Sequence, residues 1–317
     1  MPRHPTRRAV LGTAAMTALS ACGHGGGPPG DSDGATPGRL VGTATGPVAV
    51  PAAPLRVVAL DTAELDSAMT LGITPVGASR APADATLPDY WPLSRLALVA
   101  DTGTVGAPAY ERIRALRPEL ILGSLTRDAA GHDRLREIAP TVLSQSTGYP
   151  WKENFQLHAQ ALGRRPEADA ITAAYRGQVA QLSRALGGPG AASGRRVSLV
   201  RFVQGGRIRL YGRQNFPGTV LADLQLGRPT AQNVDQFDVE ITPDQLGGAD
   251  GDLLLYATYG DPAAAGTPAT LASPGWRALG AVRTHRAFPV SDQLWFEGIG
   301  YTGANLMLAQ LQRFLGF

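Results

Sequence analysis

Arginine and aromatic residues stand at the ends of several apolar runs that are typical of β-strands. Arg80 and Arg127 each follow such a run, and Arg201 lies near the end of a third. In α/β sheets, ligands bind beyond the carboxyl ends of the strands. Guanidinium groups suit negatively polarised oxygens, and aromatic rings suit an organic scaffold. These positions therefore predict a binding site for a small organic ligand.

The same rule selects further candidates after other predicted strands. The full candidate set for the ligand site is Arg80, Arg127, Tyr149, Arg201, Tyr211 and Trp295. Arg80 and Arg127 have a simpler interpretation as ordinary surface arginines. Arg201 interrupts an apolar strand, where a charge is unexpected unless it reaches a cleft. Other residues are interpreted as packing or structural residues: Phe216, Phe237, Trp91, Trp276 and His158.

Catalytic motifs are missing from the sequence. There is no Gly-x-Ser-x-Gly elbow and no His-Glu-x-x-His pair, and the segment around Ser79 lacks the final glycine of the elbow. The only cysteine is Cys22, so no disulfide or thiolate metal site is expected. A secreted hydrolase remains an alternative of low weight, and we expect a protein that is not an enzyme.

Apolar strands alternate with helices from residue 55 onward. Residues 56–60 predict a strand, and Asp61 and Glu64 have the spacing of a capping box before a helix that stops at Gly72. Residues 74–78 predict the next strand. This β-α-β order indicates a parallel sheet covered on both faces, and hence an α/β fold.

A long helical segment divides the chain. Residues 167–186 carry apolar side chains at helical spacing and are followed by Gly187-Gly188-Pro189-Gly190, which is typical of a domain connector. A second α/β series follows it. The two halves share one detail: Glu111 and Asp244 each open a short helix and each lie nine residues before a buried strand. We therefore expect two similarly built lobes.

The first 26 residues have the order of an export signal: basic, apolar, then small residues. Arg7-Arg8 resembles the twin-arginine export pattern, although Arg-Arg also occurs in ordinary secretory signals. Leu19-Ser20-Ala21-Cys22 resembles the lipobox of bacterial lipoproteins, in which the cysteine is acylated. The alternative is a signal cleaved elsewhere, with Cys22 incidental. We expect an export signal at 1–21 and a lipidated Cys22 followed by a flexible tether to residue 54, which is rich in Gly, Pro and Thr.

Charge argues against nucleic acid as a partner. The chain of 317 residues has 29 basic and 26 acidic residues. Cleavage before Cys22 removes Arg3, Arg7 and Arg8 and no acid, which leaves 26 of each sign. The mature chain is therefore near neutral, and its bulk charge supports no nucleic-acid binding.

Five segments follow one another along the chain: RVVALDTAELDSAMTLGITPVGAS, TVGAPAYERIRALRPELILGS, ADLQLGRP, VEITPDQLGGADGDLLL and SPGWRALGAVRTHRAFPVSDQLWF. In this order they resemble the iron–siderophore and vitamin B12 family of substrate-binding proteins for ABC importers. The resemblance covers roughly residues 55–315.

The resemblance implies a fold and an organisation. The fold class is α/β: two doubly wound lobes joined by a single long helix, with the ligand cleft between the lobes. We assign residues 55–163 to the N-terminal lobe, 164–190 to the connecting helix and 191–317 to the C-terminal lobe. Trp295 matches a position where the family often places an aromatic residue that faces the ligand. In the family, one carboxylate on each lobe docks onto arginines of the permease, and Glu111 and Asp244 fall at those positions. Asp244 departs from the expected Glu, and both acids have an alternative interpretation as helix caps.

The implied function is capture of a ferric siderophore, of hydroxamate type, for an ABC permease. The chelator cages the iron, so we expect the protein to supply no metal ligand and to hold no cofactor. We also expect a monomer held to the cell membrane by lipid on Cys22, on its extracytoplasmic face. Binding of vitamin B12 or haem, and a sensing module on the same fold, remain alternatives.

Overall fold

A computed structural model describes residues 38–316. The predicted export signal, Cys22 and the predicted tether up to residue 37 lie outside the described residues. Within this range no helix combines the length and the apolar character needed to cross a membrane.

The structure differs from the predicted tether over residues 38–54. Strands β1 (Arg39–Thr43) and β2 (Gly46–Val50) form an antiparallel hairpin. Val41 and Val50 are fully buried in the core, and the backbone N–H of Ala44 donates to Leu143 at 3.0 Å. The Gly and Pro content of this segment favoured the prediction of a flexible tether. In the structure, the buried side chains of Val41 and Val50 attach the hairpin to the N-terminal lobe.

The N-terminal lobe is a six-stranded sheet flanked by helices. In chain order its remaining elements are β3 (Val57–Ala59), α1 (Thr62–Thr70), β4 (Gly77–Arg80), α2 (Leu93–Leu96), β5 (Ala100–Thr104), β6 (Ala107–Pro108), α3 (Tyr110–Ala115), β7 (Leu120–Ser124), α4 (Leu125–Asp128), a 3₁₀ turn (Ala129–Gly131), α5 (His132–Arg136), β8 (Thr141–Ser144) and α6 (Trp151–Leu162). The strand order is β6-β5-β4-β3-β7-β8, and only β6 is antiparallel to its neighbour. Strands β3, β7 and β8 are buried along their whole length, as expected for a parallel sheet covered on both faces.

The connecting helix α7 spans Arg165–Ala185. Pro166 stands in its first turn, where a missing N–H costs nothing. Ala168, Tyr175 and Leu182 form its buried stripe. Gly187 then adopts a φ of +89°, a backbone conformation that favours glycine and ends the helix. The predicted long helix is confirmed.

The C-terminal lobe is a five-stranded mixed sheet. Its elements in chain order are α8 (Pro189–Ser193), β9 (Val197–Val203), β10 (Arg207–Tyr211), α9 (Phe216–Asp223), a 3₁₀ turn (Thr230–Gln232), β11 (Asp238–Ile241), a 3₁₀ helix (Pro243–Ala249), β12 (Leu253–Tyr259), α10 (Thr267–Ala272), α11 (Pro274–Ala278), α12 (Gly280–Arg283), β13 (Ala287–Pro289), α13 (Asp292–Trp295) and α14 (Tyr301–Leu315). The strand order is β11-β10-β9-β12-β13. Strand β10 runs antiparallel to β9 and β11, whereas β9, β12 and β13 are parallel.

A buried carboxylate ties the two lobes together behind the sheets. Asp66 on α1 accepts hydrogen bonds from the backbone N–H groups of Thr302 and Gly303, at the start of α14, at 3.3 and 3.2 Å. The hydroxyls of Thr70 and Tyr90 also donate to it. Burial raises the pKa of Asp66 to about 6, although these bonds oppose the shift. A methyl group at Gly300 would collide with this carboxylate, so the close approach requires glycine.

Candidate ligand-binding cleft

A cleft of about 410 Å³ lies between the two lobes. The N-terminal lobe lines it with residues that follow strands, in loops or at the starts of helices: Asp61, Thr62, Ala81, Pro82, Val105, Arg127, Thr147 and Gly148. The C-terminal lobe lines it with Arg201, Arg209, Tyr211, Asn215, Phe216, Pro217, Phe237, Tyr259, Phe296, Glu297 and Ile299. Because both lobes contribute, a bound ligand would contact both.

The C-terminal wall is built on one face of the sheet. Arg209 on β10 pairs with Arg201 on β9, and Arg201 pairs with Ala257 on β12. Side chains two residues apart on a strand share a face. Tyr211 and Tyr259 therefore lie on the same face as the two arginines.

Arg201 is held in place by partners on three sides. Its Nε donates to Asp292 Oδ1 at 2.7 Å, and its Nη2 donates to Asp292 Oδ2 and, at 2.9 Å, to Glu297 Oε1. Its Nη1 donates to the Tyr211 hydroxyl at 3.1 Å. Its Cζ lies 4.5 Å from the centroid of the Tyr259 ring. The guanidinium is thus ion-paired and fixed rather than free.

Burial and neighbouring charges shift the pKa values of Arg201 and Glu297. Burial alone would lower the pKa of Arg201, but Tyr211, Asp292 and Glu297 outweigh it and raise that pKa above its usual value. Burial raises the pKa of Glu297 to about 8; Arg201 opposes this shift, while Asp292 and Asp84 add to it. Glu297 Oε2 is buried and has no hydrogen-bond partner.

The N-terminal wall places a second carboxylate at the start of α1. Asp61 caps this helix: its Oδ1 accepts from the N–H of Thr62 at 2.6 Å. Its Oδ2 has no hydrogen-bond partner and lies 3.6 Å from Arg127 Nε. Burial raises the pKa of Asp61, and Arg127 partly offsets that shift.

Further acids lie behind Asp61. Glu64 is fully buried, and burial, followed by the charges of Asp61 and Asp128, raises its pKa well above the usual value. Its Oε1 lies 3.7 Å from Nε2 of His158. Burial lowers the pKa of His158 to about 4, so this histidine is neutral at physiological pH. Its Nδ1 forms a hydrogen bond with the Ser67 hydroxyl at 2.9 Å.

Three of the six predicted site residues line the cleft: Arg127, Arg201 and Tyr211. Arg127 is half-exposed, whereas Arg201 and Tyr211 are buried. The strand-end rule and the unexpected charge on β9 were sufficient to find them.

The other three predicted residues do not line the cleft. Arg80 turns toward the neighbouring strand β5: its Nε lies 3.8 Å from Asp101 Oδ2. Tyr149 is 53% exposed and lines a separate groove beside Arg213. Trp295 is fully buried and donates from Nε1 to Gln310 Oε1 at 2.7 Å. Trp295 therefore belongs to the core. The next residue, Phe296, lines the cleft instead.

Residues that the sequence prediction missed complete the wall. Phe216 and Phe237, interpreted as packing residues, both line the cleft. Tyr259 ends β12, so the strand-end rule could have selected it. Arg209 alternates with Tyr211 on β10 and shares its face. Nothing in the sequence singled out Glu297.

The two predicted docking acids are exposed. Glu111 is in the first turn of α3, and its side chain is 84% exposed. Asp244 stands at the start of the 3₁₀ helix, and a hydrogen bond from Thr242 lowers its pKa. Each helix precedes a strand that is parallel to its neighbours in the sheet. Their docking role remains a prediction.

In the part of the chain that the structure describes, no three or more His, Cys, Asp or Glu side chains are grouped to hold a metal ion. The expectation that the protein supplies no metal ligand and holds no cofactor stays a prediction.

Comparison with known proteins bears on this geometry. A family model described as periplasmic binding protein matches residues 57–294. The chain is 30% identical over 276 residues to the probable siderophore-binding lipoprotein YfiY of Bacillus subtilis (strain 168), covering 84% of this chain and 83% of that protein. It is 29% identical over 271 residues to the achromobactin-binding periplasmic protein of Dickeya dadantii (strain 3937), covering 83% and 87%.

A solved structure agrees with the fold. Staphylococcus aureus SirA complexed with staphyloferrin B matches with a TM-score of 0.78 at 25% identity, covering 87% of this chain and 98% of that chain. The predicted bilobal α/β fold and the predicted resemblance to siderophore-binding proteins are confirmed. These relatives are substrate-binding proteins, not enzymes, which agrees with the missing catalytic motifs. The chain belongs to the periplasmic binding protein family.

Proposed function

We propose that this protein captures a ferric siderophore outside the cytoplasm and delivers it to the permease of an ABC importer, held to the membrane by lipid on Cys22. The observation that carries the proposal is the aromatic lining of the cleft between the lobes. Five rings contribute to that lining: Tyr211, Phe216, Phe237, Tyr259 and Phe296. Such rings suit the organic scaffold of a chelator. The names of relatives, a siderophore-binding lipoprotein and an achromobactin-binding protein, support this ligand class.

Within that class, we propose a chelate of the hydroxamate type. Three hydroxamates neutralise the charge of Fe(III), so their complex needs few unpaired cations around it. The cleft fits this requirement, because each of its arginines lies within 4 Å of a carboxylate: Arg127 near Asp61, Arg201 near Asp292, Arg209 near Asp238. An anionic chelate would have to compete with these ion pairs.

Carboxylate chelates form the rival class. One relative, 26% identical over 260 residues, is named as the Fe(3+) dicitrate-binding periplasmic protein FecB of Escherichia coli (strain K12), and the chain covers 83% of it. Under this rival, Arg127 would leave Asp61 and turn to the ligand, since its side chain is half-exposed.

A titration tests the proposal. The purified mature protein, kept in detergent, is titrated with ferrioxamine B, ferrichrome, ferric enterobactin, ferric citrate, vitamin B12 and haem. Intrinsic fluorescence reports binding, because the Trp151 ring lies 5.4 Å from the ring of Phe216, which lines the cleft. We expect saturable quenching by a hydroxamate chelate. Tight binding of vitamin B12 or haem alone, or of no compound up to high micromolar concentration, would overturn the proposal. Exclusive binding of ferric citrate would move the ligand to the carboxylate class.

A further inference from the structure

Building on the proposed function, we propose that Glu297 is a specificity-determining residue that selects ferric siderophores carrying a protonated amine. The amine would be a group outside the iron coordination sphere, and the carboxylate of Glu297 would accept its hydrogen bonds. Aromatic rings and hydroxamate oxygens would then recognise the rest of the chelate.

The first support is that four of the five N–H groups of Arg201 already donate to side chains of the protein. Its Nε, Nη1 and Nη2 all donate to Asp292, Glu297 or Tyr211. Only 10% of its side chain is exposed. Arg201 therefore stabilises the C-terminal wall through these hydrogen bonds. It has little donor capacity left for the negative oxygens of a ligand.

The second support is an excess of carboxylates around that one guanidinium. Asp292 and Glu297 both pair with it. Asp84, from the N-terminal lobe, lies close enough to raise the pKa of both acids, and Gln293 on α13 holds its Oδ2 at 2.8 Å. Three carboxylates thus share one cation. The pKa of Glu297 is raised to about 8, so a ligand that brings a positive charge would favour the ionised carboxylate and offset the repulsion among these acids.

The third support is a buried carboxylate oxygen on each wall that accepts no hydrogen bond. Glu297 Oε2 is buried in the C-terminal wall without a hydrogen-bond partner. Across the cleft, Asp61 is only 4% exposed, and its Oδ2 also has no hydrogen-bond partner. Buried polar atoms in native proteins are rarely left unpaired, and each such atom calls for an explanation. Asp61 Oδ2 is already ion-paired with Arg127 at 3.6 Å, whereas Asp84 adds a like charge beside Glu297. The acceptor on the C-terminal wall is therefore the one that a cationic donor on the ligand would satisfy.

A matched pair of ligands tests the inference. Ferrioxamine B carries a terminal ammonium group, and its N-acetylated form has the same iron coordination without that charge. Binding of both is measured by tryptophan fluorescence on the full mature protein and on Glu297→Gln. We expect the unmodified protein to bind the ammonium form about tenfold more tightly. Glu297→Gln should bring the ratio close to one by weakening the ammonium form alone. The amide still accepts a hydrogen bond from Arg201, so the wall should survive.

Two further variants separate this role from a general effect. Asp84→Asn removes a neighbouring charge without touching Arg201 and should reduce the preference partly. Glu167→Gln removes one exposed charge from the start of α7 and should leave the preference unchanged.

Equal affinity for the two ferrioxamines in the unmodified protein overturns the inference and leaves the proposed function standing. A preference that Glu297→Gln retains also overturns it, as does exclusive binding of ferric citrate. Failure to bind any ferric siderophore overturns the proposed function itself.

Discussion

The two walls of the cleft are built from different parts of their sheets. The N-terminal wall consists of loops and helix starts beyond the carboxyl ends of parallel strands, as Asp61 after β3 and Thr147 after β8 illustrate. The C-terminal wall uses the sheet surface itself, because the antiparallel strand β10 brings Arg209 and Tyr211 beside Arg201. The strand face holds its side chains in a buried network, whereas Arg127 on the short helix α4 of the other wall is half-exposed. The C-terminal wall is therefore the rigid half of the site.

Removal of the central cation should show this difference most strongly. In Arg201→Ala, Asp292 and Glu297 lose their shared partner in a buried place, and we expect the free energy of unfolding to fall by about 3 to 5 kcal/mol. The matched change on the other wall, Arg127→Ala, should cost about 1 kcal/mol or less. Urea unfolding followed by circular dichroism measures both. Ligand affinity of Arg201→Ala should also fall, because the wall loses its shape. Equal losses of stability in the two variants would contradict a rigid C-terminal wall.

A smaller effect should appear as a pH dependence of that wall. The pKa of Glu297 is about 8 in the folded protein, above its ordinary value of 4.5. At acidic pH the carboxyl is protonated in both states. As pH rises from about 4.5 to about 8, the unfolded chain releases this proton before the folded chain does, so the folded state loses stability. Relative to Glu297→Gln, the unmodified protein should lose on the order of 1 to 3 kcal/mol across this window.

The groups that face Glu297 enter this prediction. They are Arg201, which opposes the shift, and Asp292 and Asp84, which add to it, while burial is the largest cause. Tyr259 also lies close: burial is the main cause that raises the pKa of its hydroxyl, and the charge of Glu297 adds to that shift. Unfolding midpoints in urea, measured at several pH values for both proteins, give the difference. A difference that stays constant from pH 4.5 to 8 would show that Glu297 ionises normally in the fold.

The smallest expected effect concerns one exposed acid on each lobe. Glu111 stands on an α-helix, and Asp244 stands on a 3₁₀ helix with a shorter side chain. If both dock onto the permease, the double variant Glu111→Ala, Asp244→Ala should lower siderophore uptake by cells about tenfold, close to 1.4 kcal/mol. Each single variant should do less, and Asp244→Ala least. Ligand affinity of the purified variants serves as the control. Unchanged uptake by the double variant would remove the docking role.

Much of the fold could be predicted because local patterns and tertiary structure agree. The long helix, the β-α-β opening and the strand at 197–200 all carry clear apolar periodicity. The hairpin at Arg39–Val50 could not be found this way. Its two strands are short and its turn is rich in small residues, and its order comes from burial of Val41 and Val50 against the N-terminal lobe.

Only three of the six predicted site residues line the cleft, because local sequence patterns do not contain all the information that places a side chain. The strand-end rule gives the position of a residue but not the direction of its side chain, so Arg80 turns to Asp101 while Arg127 reaches the cleft. Trp295 and Phe296 are adjacent at the end of a single helical turn, yet Trp295 is buried in the core and Phe296 lines the cleft. Neighbouring positions on a helix face different directions, and the sequence alone does not say which one faces the ligand. Glu297 depends on charges from both lobes, and no local pattern contains that information.

The link between Asp66 and the start of α14 has a consequence for transport. A buried carboxylate that holds backbone groups of the opposite lobe resists opening and closing of the cleft. We therefore expect the spacing of Glu111 and Asp244 to change little when a ligand enters. The permease would then meet almost the same surface on empty and loaded protein. Empty protein would then compete with loaded protein for the permease, and the bound ligand itself would have to provide the difference that the permease recognises.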